Sequence, residues 1–233
     1  INDLPGDASL SVWGEGLRGG VLRLVRAGEL AAVVSDWAEA SMNRSSTAVD
    51  ADLVWQHERV IERIMDGCAV LPVRFGTLLA GDERVAAVLR ERHAVLLADL
   101  AHVEGCVEMG LRVLWEPPAG DAPAAALAAD AGIPAIPATP GAQYLLRRSA
   151  EGRQRDAVRR QGEKLAAELT HSLSAGAVDV RQSILQTERM LLTAAFLVRR
   201  AEVDAFLAAV ERLRAQHSQL AFLCSGPWPP YHF

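Results

Sequence analysis

The chain has 233 residues, half of them apolar, 23% charged and only 5% aromatic, a globular composition rather than a disordered one. At 25.0 kDa the folded surface is expected near about 10,000 Å² against roughly 36,000 Å² for the extended chain, enough for one large core or two small ones. A net charge of −5 excludes a generally cationic nucleic-acid binder, and no uninterrupted apolar run is long enough for a membrane-spanning helix. The chain opens on Ile1 without a basic stretch followed by an apolar one, so no secretory leader is expected.

In chain order, the first clear signal is a hairpin between Val21 and Trp37. VLRLV and ELAAVV flank Arg26-Ala27-Gly28, and Gly28 can take the positive φ of a short turn. Residues 41–50 are small and polar, with Thr47 and Asp50 as N-cap candidates. Leu53, Val54, His57, Val60, Ile61, Ile64, Met65 and Cys68 then recur at three-four spacing, the stripe of an amphipathic helix that closes near Gly67. Ala69 to Phe75 alternates as a strand, with Pro72 restricting it to an edge or a strand start. A second helix is expected from Asp82 to Leu100. Val107, Met109, Leu111, Val113 and Trp115 alternate with Cys106, Glu108, Gly110, Arg112 and Leu114 in the clearest strand of the sequence. This ββαβαβ order suits an antiparallel sheet covered by helices on one face.

Residues 117–140 are rich in Pro, Ala and Gly without a period and read as a linker or mobile insertion. A long charged helix is expected from Gln143 to Leu173, Arg-rich in its first half, with Val158, Leu165, Leu169 and Leu173 as a narrow seam. Val178–Leu185 and Leu191–Val198 read as strands, Val203–Leu213 as an amphipathic helix, and Leu220–Cys224 as a last strand. The stretch GPWPPYHF, 226–233, holds three prolines and the large rings of Trp228, Tyr231 and Phe233. Its prolines argue against ladder pairing, and a Pro-stiffened aromatic tail loses little entropy on docking, here first onto its own domain.

Local chemistry is sparse. Cys68, Cys106 and Cys224 are far apart in apolar surroundings and read as buried thiols, not a disulfide frame. The six histidines form no HExxH or other metal-ligand spacing, so neither a metal nor a cofactor is expected. His57 lies on its helix's apolar stripe, which favours a hydrogen-bonded structural histidine over a base. Were the face carrying Arg74 to turn inward, Glu108 would have to neutralise it, because an unpaired buried charge is costly. Of 24 basic residues only Lys164 is a lysine. A genome's codon habit and a guanidinium-bearing contact surface both account for that.

Three segments carry a resemblance: AVLPVRFGTLL at 69–79, GAQYLLRR at 141–148, and GPWPPYHF. They are similar to motifs of the gas vesicle GvpF/GvpL protein family. HERVIERI at 57–64 precedes the first and LLADLAHVEGCVEMGLRVLW at 96–115 follows it, in the order that family uses. The matching positions are His57; Leu71, Pro72, Val73, Arg74, Phe75, Gly76 and Thr77; Tyr144, Leu145, Arg147 and Arg148; and Gly226, Pro227, Trp228, Pro229, Pro230, Tyr231 and Phe233. The chain departs from the family in lacking a Tyr-rich first strand, for which SLSVWGEG at 9–16 is a poor substitute, and in carrying Arg112 where lysine is expected.

The resemblance implies an α+β protein. An N-terminal ferredoxin-like domain over 1–116 would be joined through 117–140 to a C-terminal α+β domain over 141–233 with a long, coiled-coil-like helix. It implies a non-enzymatic role as a minor component or assembly factor of gas vesicles, without cofactor. The implied partners are the small, hydrophobic major gas vesicle shell protein and other accessory proteins, not nucleic acid or a lipid membrane. The implied location is the gas vesicle, with a soluble cytoplasmic pool. In physical terms, a soluble binder would cover apolar shell surface through a strand edge or an amphipathic helix. Two other readings compete. A ferredoxin-like small-molecule or regulatory module requires a deep pocket where the two halves meet. An enzyme requires His57, Arg74 and Glu108 to converge.

Overall fold

The computed structural model describes residues 13–37, 51–116, 139–184, 187 and 189–233. The N-cap candidates at 41–50, residues 9–12 of the opening segment, nearly all of the 117–140 linker and Leu185 lie outside the described residues. Strands β1 (Leu22–Ala27) and β2 (Leu30–Ser35) form the expected hairpin, antiparallel with Ala27 opposite Leu30. Only Gly28 and Glu29 separate them. Gly28 takes φ 65°, which a two-residue turn requires and a Cβ resists.

Helix α1 (Ala51–Met65) buries Leu53, Val60, Ile61 and Ile64, while Val54, His57, Met65 and Cys68 of the same expected stripe are half-buried. Val60 and Ile64 join Trp13 and Leu22 in a buried cluster, with Leu24, Val33, Cys68 and Val70 packed around it. The hairpin thereby gains the apolar partner that a lone two-stranded ribbon lacks. Helix α2 (Gly81–Glu91) packs over both hairpin strands, and Arg23 on β1 pairs with Asp36 at 2.8 Å and with Asp82 in the first turn of α2.

Helix α3 is His93–Val103, β3 Cys106–Leu114, α4 Pro140–Ser174, β4 Asp179–Ile184, β5 Met190–Arg199, α5 Val203–Gln216 and β6 Ala221–Trp228. The hairpin is a sheet of its own, and a four-stranded sheet has the order β4-β5-β3-β6. On β3 the alternating set Val107, Met109, Leu111 and Val113 is almost wholly inaccessible. On β5 the consecutive residues Phe196, Leu197 and Val198 are all fully buried, so both faces of that strand are covered. The chain divides into two compact units. The first comprises Ile1–Met109, Leu197–Ala201 and Gly226–Phe233, the second Gly110–Phe196 and Glu202–Ser225. In the second unit α4 packs on β4 and α5, and Phe206 of α5 meets Phe196 at a ring separation of 5.1 Å.

The α+β class and the long helix agree with the sequence. Helix α4 runs 35 residues, about 52 Å at 1.5 Å per residue, continuing through Gly152 and Gly162. Ala166, Leu169 and Leu173 are its buried seam, whereas Val158 and Leu165 of the expected seam are only half-buried. Three details differ. Residues 69–75 form no strand: the Val73 carbonyl bonds the His57 side chain and the Arg74 carbonyl bonds Thr77, so those acceptors are satisfied without a ladder. The single helix expected from Asp82 to Leu100 is broken at Arg92 (φ −107°, ψ 14°), although no Pro or Gly marks the site. Finally, β6 continues through Gly226 and Pro227 to Trp228, where prolines argued against pairing. It lies at the sheet's edge, where a residue lacking an N–H is tolerated.

Candidate functional site

The motif residues of the first unit gather around α1 and the start of β3. Helix α1 presents His57 one turn before the buried Val60 and Ile61. Its Nε2–H donates to the Val73 carbonyl at 2.9 Å, and its ring meets Phe75 edge-on at 5.7 Å. Thr77 then closes a turn over Gly76, donating to the Arg74 carbonyl from its hydroxyl at 2.7 Å and from its backbone N–H at 3.2 Å. Pinned at both points, the segment turns Leu71 inward against Val103, Cys106 and Leu197. It leaves Val73, Leu78 and Leu79 outward, 57%, 56% and 45% exposed.

The aromatic tail docks on the same unit. Gly226 takes φ 114° where a Cβ would come within 2.7 Å of the Glu108 carbonyl oxygen and 3.1 Å of the Met109 sulfur, so only glycine allows this approach. Pro229 and Pro230 are buried behind it. Glu108 is only 5% exposed, and both its carboxylate oxygens are used. Oε2 accepts the His232 backbone N–H at 3.0 Å and Oε1 the His232 Nδ1–H at 2.7 Å. Tyr231 donates its hydroxyl to Glu58 Oε2 at 2.7 Å. Phe233 packs against Val103, Cys106 and Leu197, the cluster that also takes Leu71. Burial, then the bond to Glu58 and the neighbouring carboxylates of Glu58, Glu62 and Glu108, hold the Tyr231 phenol protonated well above its ordinary range.

A cavity of about 270 Å³ opens beside this tail, lined among others by Cys68, Val70, Val103, Cys106, Arg200 and Pro230. It is smaller than an ordinary small-molecule site. Arg200 is held at its rim by the Met65 carbonyl (2.9 Å) and by Asp66 (3.7 Å). Of the cysteines only Cys106 is buried; Cys68 and Cys224 are half-buried, and burial pushes both thiols up. Among the described residues no three His, Cys, Asp or Glu side chains are arranged to hold a metal ion.

The structure thus brings His57, residues 71–77 and Trp228–Phe233 into one unit, while Tyr144, Leu145, Arg147 and Arg148 lie exposed on α4 in the second. Arg74 does not meet Glu108. It is exposed, and His232 supplies the buried carboxylate's partner instead. Among the described residues His57 bonds Val73 and Glu108 bonds His232, and neither bonds Arg74. Sequence reasoning missed Glu58 and the pairing of Glu108 with His232. An acid between Val107 and Met109 on an apolar strand was the signal for a buried partner, but nothing local says which residue supplies it. Glu58 carries no signal at all.

Comparison with known proteins places this geometry among relatives. The family model described as gas vesicle synthesis protein GvpL/GvpF matches residues 2–233. Gas vesicle protein F of a Streptomyces species is 30% identical over 218 residues, covering 91% of this chain and 87% of that protein. Gas vesicle protein L of the same Streptomyces is also 30% identical, over 98% of this chain and 89% of its own length. The crystal structure of the gas vesicle protein GvpF from an Anabaena species shares the fold, with a TM-score of 0.75 at 18% identity, covering 99% of this chain and 93% of that one.

Proposed function

This chain belongs to the gas vesicle GvpL/GvpF family and has an accessory role in gas vesicles, and from that premise we propose that it binds the hydrophobic major shell protein during nucleation and assembly. Bound in this way, the shell subunit is kept from aggregating until it joins the growing wall, and other accessory proteins dock on the same complex. The observation that carries the reading is the loop following His57's hydrogen bond. Val73, Leu78 and Leu79 stand outward on a segment fixed by His57 and Thr77, whereas Tyr231 and Phe233 of the tail are engaged within their own unit. A fixed, exposed apolar loop matches what a binder of an apolar subunit needs, since ordering it on contact takes little further entropy. The enzyme reading gains no support from His57 and Glu108, which bond Val73 and His232 and not Arg74.

Co-expression with the shell protein followed by pull-down tests the proposal. Wild type is expected to retain the shell protein in the soluble fraction. The variant Val73→Ser, Leu78→Ser, Leu79→Ser should retain at least about ten-fold less, because three half-exposed apolar side chains leave the interface, while its melting temperature stays near wild type. No association of the wild-type protein, with the shell protein equally soluble in its absence, would sink the reading.

A further inference from the structure

We propose that the N-terminal half of α4 is a docking ridge for an acidic amphipathic helix of a partner protein. Tyr144, Arg148, Arg155 and Arg159 follow one another at spacings of four, seven and four along α4, so they share one face over about 22 Å. All four are exposed. Arg148 donates to the Tyr144 hydroxyl at 3.1 Å, which holds a guanidinium and an aromatic ring together at one end of the ridge. Tyr144 and the adjacent Leu145 are 60% and 66% exposed, an apolar end that a purely solvated face would not need.

The charges point the same way. Arg155 and Arg159, and again Arg160 and Lys164, are like charges four residues apart, which weaken an isolated helix. Only part of that positive charge is met within the helix, by Arg147 with Glu151 at 2.9 Å, Arg159 with Glu163 at 3.3 Å and Lys164 with Glu168 at 3.9 Å. The chain as a whole carries −5, so this stretch runs against its general character. Charge complementarity therefore selects a carboxylate-bearing partner, and the planar guanidinium fork matches a carboxylate in two-point contact. A helix with acids on one face and an apolar residue at its end complements the ridge along its length. Long polyanions such as nucleic acid or an anionic membrane would also meet the acidic remainder of the chain and be repelled. The ridge is a different surface from the loop at 73–79, and this inference stands whether or not that loop binds the shell protein.

The probe is a fluorescein-labelled helical peptide with Glu at i, i+4, i+7 and i+11 and a terminal Leu, titrated with the full-length protein and read by anisotropy. Controls are a scrambled peptide of the same composition, a single-stranded oligonucleotide and vesicles containing anionic lipid. The patterned peptide is expected to bind at least ten-fold more tightly than the scramble, with affinity falling as salt rises. The variant Arg148→Glu, Arg155→Glu, Arg159→Glu should lose that preference, whereas Arg181→Glu on β4 should keep it. Should the triple variant fail to fold, Arg155→Ala, Arg159→Ala removes one like-charge pair and is expected to fold normally while losing several-fold in affinity. Equal binding of the scramble, tighter binding of the oligonucleotide or vesicles, or unchanged binding by the folded variants would each overturn the proposal.

Discussion

Glu108 and Tyr231 both fasten the tail, and each makes a measurable prediction. Glu108 offers its two oxygens to the backbone and the ring of His232. Glu108→Ala leaves both donors without that acceptor, but the His232 side chain is 64% exposed and water can replace it, so the expected loss of stability is about 0.5–1.5 kcal/mol. Glu108→Gln keeps one carbonyl acceptor and should lose less. Urea unfolding midpoints of the two variants check the order, and equal midpoints would contradict it. Tyr231 makes a prediction in pH. Its folded-state proton is held more tightly than in the unfolded chain, whose phenol titrates near the ordinary value of 10.0. That contribution is whole below about pH 10 and declines above it, because only the unfolded chain gives up the proton there. Between about pH 9 and 11 the urea midpoint should therefore fall less for Tyr231→Phe than for wild type. The raised thiols of Cys68 and Cys224 add a loss of the same sign, starting near 9.0, to both proteins, and the difference isolates the phenol.

Among the elements, periodicity was most reliable where an apolar partner covers one side. Strand β3 buries Val107, Met109, Leu111 and Val113 as its pattern predicts, and helix α1 buries Leu53, Val60, Ile61 and Ile64 of the eight positions its pattern selects. Helix α4 depends on its seam instead of its composition, because its first half offers little apolar surface. Leu169, fully buried, is central to that seam. Leu169→Ala is expected to destabilise by about 2–5 kcal/mol through lost burial and a residual cavity, as read by thermal or urea unfolding. The segment 69–75 shows where pattern misleads. Its alternation is that of a strand, but a strand exists only when a neighbour takes its hydrogen bonds, and here a histidine and a threonine side chain take two of them. The break at Arg92 has no counterpart in residue type.

On the scale of the whole molecule, motif similarity identified the family before any contact was known. PVRFGT together with GPWPPY is specific to that family's pattern, and both stretches are engaged in the first unit, by His57 and by Glu108 and Glu58. Their side chains now divide by role. In the tail the Tyr231 hydroxyl, His232 and Phe233 are engaged within the chain, while Val73, Leu78 and Leu79 face outward and carry the expected loss of shell-protein retention described above. That division belongs to the folded protein alone, since Phe233 and Leu78 look equally available in a sequence.

By itself the sequence determined the α+β class, the hairpin, the long helix, part of the periodic core and the family, because each of these is encoded over short spans by side-chain period, turn chemistry or motif. The tertiary structure decided the rest: β3 lies between β5 and β6, Pro227 is tolerated at an edge, and Glu108 belongs to His232 and not to Arg74. It also joined Tyr231 to Glu58 across 173 positions of chain. Such pairings follow from which surfaces remain to be covered once the local elements have formed, and a buried carboxylate accepts whichever donor the packed chain delivers to it.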